Sequence, residues 1–119
     1  MGGMNVTYAF AGLAVIDRDV SLAWFERLFG HAPDLLPNDA EAAWRLTDSS
    51  SLYIVADPPQ AGRGVVTLMV EDLEATLAEL LARGIEAGRI DEISGAGRKA
   101  VFADPDGNTV AIVELIATP

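Results

Sequence analysis

From Leu13 to Phe25 the chain reads LAVIDRDVSLAWF, and from Leu68 to Leu80 it reads LMVEDLEATLAEL. Shifted by 55 positions, Leu13 falls on Leu68, Val15 on Val70, Asp17 on Asp72, Leu22 on Leu77 and Ala23 on Ala78. Self-similarity at this distance marks a repeated unit, and here the unit is a short β-like run, an acidic turn and an amphipathic helix. In the first copy Asp17 or Asp19 can cap a helix whose apolar positions are Val20, Leu22, Ala23, Phe25 and Leu28, ending before Gly30. In the second, Asp72 can cap a helix with Leu73, Leu77, Leu80 and Leu81 on one side, ending before Gly84.

Three β-like segments follow each helix, separated by turn residues. They are Pro33–Pro37, Ala42–Leu46 and Leu52–Ala56 in the first half, and Ile85–Glu92, Lys99–Ala103 and Thr109–Leu115 in the second. These superpose with a shift of 58, so Trp44 meets Phe102, Tyr53 meets Ala111 and Ile54 meets Ile112. A longer loop near Ala87–Ala96 accounts for the change of shift. Between the halves, Asp57-Pro-Pro-Gln-Ala-Gly-Arg-Gly64 has the composition of a hinge. The expected fold is α+β, one domain over residues 1–119. Module one covers about 6–56, the hinge 57–64 and module two about 65–116, each a βαβββ unit. A single such unit leaves one sheet face bare, so the two must pack together or against a second chain.

The totals agree with a folded domain and restrict its partners. A chain of 119 residues, half of them hydrophobic, can bury a substantial core without staples. Without cysteine it has neither disulfides nor thiolate metal ligands. Eighteen acidic against eight basic side chains give a net charge of −10, which repels phosphate backbones and favours cationic partners or simple solubility. No nucleic acid is expected as a partner. No apolar run reaches the roughly 18 residues of a membrane span, and the N-terminus lacks a signal-peptide pattern. Met1-Gly2-Gly3 reads as a start remnant, and the expected location is the cytoplasm.

Near the C-terminus a tight polar turn is clamped between two apolar runs in FADPDGNTVAIVEL, Phe102 to Leu115. Asp104 and Asp106 could be an acid–base pair, but nothing in the sequence would split their proton affinities. Turn chemistry explains them better. Pro105 pre-sets a turn, the two aspartates bond local backbone, and Gly107 takes a positive φ.

With these motifs the chain resembles the vicinal oxygen chelate superfamily, which includes glyoxalase I, extradiol dioxygenases and bleomycin-resistance proteins. The resemblance rests on Val15–Gly30, Val70–Gly84 and Phe102–Leu115, and extends from Val6 to about Ile116. It implies paired βαβββ modules whose mixed sheets curve into a cup, usually in a homodimer, holding either a divalent metal with substrate or an organic ligand. The ligand positions of metal-using members fall here on Phe10, Val65, Tyr53 and Ala111. A divalent ion needs several oxygen or imidazole donors, which these residues cannot supply. The single histidine, His31, follows the first helix, where a helix C-terminus explains it electrostatically. No metal and no cofactor are therefore expected.

Strand alternation places Ala11, Leu13 and Val15 under the helices and turns Tyr8, Phe10 and Gly12 to the cup. Val65, Thr67 and Met69 face the cup from module two, Tyr53 and Ala111 from the last strands, and Trp44 and Phe102 complete an aromatic rim. Each aromatic could equally be core filling. An apolar, aromatic lining suits a small organic ligand, cationic or aromatic. No catalytic constellation is visible, since Ser49-Ser50-Ser51 lacks a histidine and Gly95-Ala-Gly-Arg98 precedes a strand rather than a helix. The expected function is metal-free binding of a drug or metabolite, of the bleomycin-resistance type. The alternative is a metal-independent lyase or isomerase using Tyr8, Tyr53 or Glu114 as acid or base.

Overall fold

Asp17 and Asp72 begin the two helices, as the repeat requires. In the computed structural model, which describes residues 3–116, the Asp17 carboxylate accepts from the N–H groups of Asp19 and Val20 ahead of α1 (Arg18–Phe29). The Asp72 carboxylate accepts from Ala75 N–H ahead of α2 (Leu73–Ala82). Each cap satisfies donors that the first helical turn cannot, and its charge suits the positive end of the helix dipole. The start remnant expected at Met1 and Gly2 lies outside the described residues.

Around the helices lie β1 (Ala9–Val15), β2 (Glu41–Thr47), β3 (Ser50–Ala56), β4 (Val65–Met69), β5 (Arg89–Ile93), β6 (Gly97–Ala103) and β7 (Thr109–Leu115). They form two sheets, in the orders β1-β3-β2 and β4-β7-β6-β5. In each sheet the first strand of the module runs parallel to the last, β1 to β3 and β4 to β7, and the remaining pairings are antiparallel. The fold is α+β, and the two modules share one topology. Module one departs from the expectation at Pro33–Pro37, where the strand shrinks to a single bridge between Leu35 and Ala43. Prolines at both ends of that segment have no N–H to offer a ladder.

One face of each sheet packs on its helix. Leu13 and Val15, with Leu52 and Ile54, lie against Phe25 and Leu28. Val66, Phe102, Val110 and Ile112 lie on the side of Leu73 and Leu80, and all of these belong to one continuous core. At roughly 1.5–3 kcal/mol per fully buried aliphatic or aromatic side chain, this shared layer is the main stabilising term.

The DPDG turn joins the modules. Asp104 accepts from the backbone N–H groups of Asp106 and Asn108 and from the Asn108 amide. Asn108, fully buried, donates to Ala14 O on β1 and accepts from Gly64 N at the start of β4, both at 2.8 Å. Asp106 reaches into module one to accept from Ile16 N–H and from the buried Ser21 hydroxyl. The turn seats tightly because Gly62, at φ +85°, has no Cβ; one there would collide with Asp106 O. On the helix side, the Arg83 guanidinium donates to Arg27 O and Leu28 O, closing the C-terminal end of α1 from α2. The turn is structural, as its sequence suggested, and it also bonds across the modules.

The described chain is broad and thin, 47 × 43 × 25 Å, with a radius of gyration of 14.9 Å against about 13.5 Å for a compact chain of this length. The face of each sheet turned away from the helices carries the exposed Phe10, Val65 and Met69 beside the buried Ser51, Ala111 and Val113. Among the described residues no helix is long and apolar enough to cross a membrane.

Asn108→Ala would leave the part-buried Gly64 N–H and Ala14 C=O, and the buried Asp104 carboxylate, each short of a partner. The expected cost is roughly 2–4 kcal/mol, read from the urea midpoint. Asp106→Asn, at a partly exposed site and still able to accept, should cost under about 1 kcal/mol. Equal effects would refute the placement of the tie at Asn108.

Candidate functional site

The uncovered face of module one is set by strand register. Across β1, β3 and β2, Phe10 lies opposite Ser51 and Ser51 opposite Arg45. In the neighbouring row Gly12 lies opposite Tyr53, and Tyr53 opposite Ala43. Residues in such rows stand on one side of the sheet within contact range. Phe10 is 61% exposed, and its ring centroid lies 4.8 Å from that of Tyr8 and 6.5 Å from that of Tyr53. Tyr53 lies across Gly12, where a Cβ would fall 2.3 Å from the ring. The glycine therefore lets the tyrosine lie flat on the strand. Tyr8 and Ser51 share a 2.5 Å hydrogen bond between their hydroxyls.

Module two presents a different surface. Val65, Thr67 and Met69 on β4 stand opposite Thr109, Ala111 and Val113 on β7. This face is aliphatic, and Val65 is 70% exposed. An aromatic wall and an aliphatic wall are thus displayed by the two copies of one motif.

Two cavities border these faces. One, of about 520 Å³, is lined by Tyr8, Phe10, Asp34, Leu35, Ala43, Arg45 and Ser51. The other, of about 690 Å³, lies between the modules, where Phe10, Thr67 and Met69 meet helix-side residues such as Leu28, Leu80 and Arg83. Both fall in the size range of small-molecule sites. Of the residues expected to line a cup, Tyr8, Phe10, Thr67 and Met69 border these cavities. Tyr53, Val65 and Ala111 share the same sheet faces beyond them.

Two placements are corrected. Trp44 and Phe102 are 0% and 2% exposed and belong to the core on the helix side. Trp44 packs on Phe25 and Phe29 and donates its indole N–H to His31 O. The pseudo-equivalence of the two aromatics holds, but they form the floor rather than a rim. Glu114 is also on the helix side, where its carboxylate accepts from Leu73 N–H at the start of α2 and lies 3.7 Å from Arg98. That leaves no carboxylate of β7 on the uncovered face. Ser51, not singled out by the sequence as a wall residue, is a buried member of the aromatic wall. Its spacing of two from Tyr53 was the available signal. Asp34 and Leu35 come from the irregular segment before β2, which carried no periodicity to read.

The metal positions implied by resemblance hold a benzyl group, an isopropyl group, a methyl group and one phenol, a donor set that does not fit a divalent cation. Among the described residues no group of three or more His, Cys, Asp or Glu side chains could hold one. His31 is exposed, with its ring Nδ1 2.8 Å from Ala32 O.

Comparison with known proteins places this architecture. No curated protein sequence matches the chain significantly. A crystal structure of a glyoxalase/bleomycin resistance protein from Catenulispora Acidiphila DSM 44928 is 40% identical, with a TM-score of 0.86 over 94% of this chain and 98% of that one. A bleomycin-binding protein crystallised with bleomycin is 25% identical, with a TM-score of 0.71 over 89% and 96% of the two chains. TnmS3, an antibiotic binding protein from Streptomyces sp. CB03234, shares the fold at 22% identity and a TM-score of 0.70 over 97% and 98%. The description of the Glyoxalase/Bleomycin resistance protein/Dioxygenase superfamily matches residues 7–112. The chain belongs to that superfamily.

Proposed function

We propose that this protein is a metal-free, cytoplasmic binding protein that sequesters a planar organic drug or metabolite, in cups completed by a second copy of the chain. One observation carries the reading. The strand positions where a metal-using relative would need donors present three hydrocarbon side chains and a single phenol, and around them stands an exposed aromatic and aliphatic surface. Phe10, Val65 and Met69 are apolar residues left largely in water on flat faces. Clustered apolar exposure of this kind marks a binding surface rather than a finished exterior. The broad, thin shape supports a second copy closing over it. The bleomycin-bound structure and TnmS3 support a ligand of antibiotic type.

Thermal unfolding tests the proposal. Lumiflavin, a planar aromatic probe, at a hundredfold excess over its Kd should stabilise the protein by about 2.7 kcal/mol, read as a rise in Tm. Phe10→Ala should fold and lose most of that response. Ni²⁺, Zn²⁺ and Mn²⁺ should leave Tm unchanged, and a saturable rise with any of them would overturn the metal-free assignment. Light scattering should give twice the chain mass.

The geometry of the aromatic wall has its own test. Gly12→Ala forces the Tyr53 ring off the strand, with an expected cost of roughly 1–3 kcal/mol. Combining it with Tyr53→Ala should recover part of that loss in a double-mutant cycle. Strict additivity would show that the ring does not lie over Gly12.

A further inference from the structure

We infer that the ligand of the module-one cavity is a planar aromatic molecule carrying an anionic oxygen group, a carboxylate or an ionised phenol, received by Arg45. The inference deepens the proposed binding function and rests on it. It runs against what net charge alone suggests, because a charge of −10 favours cations at long range. Contact chemistry is decided locally, since charges more than about 8 Å away are largely screened at physiological ionic strength.

Three features of the cavity converge. First, Arg45 stands at the end of the row Phe10–Ser51–Arg45 and lines the cavity that contains the Tyr8–Phe10 pair. Among the described residues its guanidinium forms no ion pair, whereas Arg18, Arg89 and Arg98 each have one. Second, the one acidic residue that lines this cavity, Asp34, directs Oδ2 to the backbone N–H of Arg45 at 2.8 Å. Its charge is partly met by that bond, and the guanidinium keeps its own donors. Third, the Tyr8 and Ser51 hydroxyls are bonded to each other. Two hydroxyls sharing one hydrogen bond use one hydrogen between them and leave the second free to donate. The cavity therefore offers an acceptor oxygen a guanidinium fork and a hydroxyl, beside aromatic faces for a ring.

The test compares three probes of one shape: 2-naphthoate, 2-naphthylmethanol and 2-naphthylmethylammonium, by isothermal titration calorimetry on the full chain. The expected result is that naphthoate binds about tenfold or more tighter than the alcohol, and the cation weakest. In Arg45→Gln, with its circular dichroism unchanged, the naphthoate advantage should vanish while the alcohol's affinity stays within about twofold. Equal affinity of all three probes would leave the binding surface standing and overturn the charge assignment. Preference for the cation, or an advantage that survives Arg45→Gln, would also overturn it. Failure of all three to bind would remove both this inference and the function beneath it.

Discussion

The buried Asn108 side chain holds the structure together at the point where its two halves meet. Each module is a sheet with one helix, too thin to enclose a core by itself. Alongside the shared apolar core, the two half-layers are joined by a side-chain amide that donates to β1 and to Asp104 and accepts from Gly64 just before β4. In the interior such bonds are strong because leaving any one of them unmade carries the full desolvation penalty. Asp104 sits beneath it and fixes its orientation, so the polar turn and the apolar core specify the same arrangement. Among the described residues no buried polar side-chain atom is left without a partner. That is the condition under which a buried network fixes one geometry rather than permitting several.

Much of this architecture was legible in the residues. The 55-residue repeat located both helices, their aspartate caps and the first strand of each module, because local capping and periodicity act without help from distant contacts. The turn chemistry of DPDG was likewise readable. Its cross-module reach was not, since nothing in the sequence near Asp106 points to Ile16 or Ser21 ninety and eighty-five residues away. The segment between the prolines at positions 33 and 37 looked like a strand by composition and fell short for want of N–H donors.

The site was read less completely, and for a reason of parity. In Ala42-Ala43-Trp44-Arg45-Leu46 both alternations are apolar enough to face inward, and only Arg45 breaks the tie. Trp44 and its counterpart Phe102, read together as an aromatic rim with core filling left open, lie in the core. Glu114 shares its parity with Val110 and Ile112, which places it at the helix side, but near a strand end that rule weakens. The alternation of the two first strands, which can be checked against each other, turns Phe10, Thr67 and Met69 to the sheet faces away from the helices.

The two modules are tied at one end through Ala14 and Gly64, and again where Arg83 donates to Arg27 O and Leu28 O, while β1 and β4 share no ladder. The far portions of the same strands, Ala9 to Ala11 and Val66 to Met69, border the inter-module cavity. Arg83 lines that same cavity and bonds across it to the last turn of α1. The separation of the sheets is thus held by two polar ties that stand on neither sheet wall, the asparagine amide and the guanidinium. Widening the gap means leaving a backbone group without its partner at one of them.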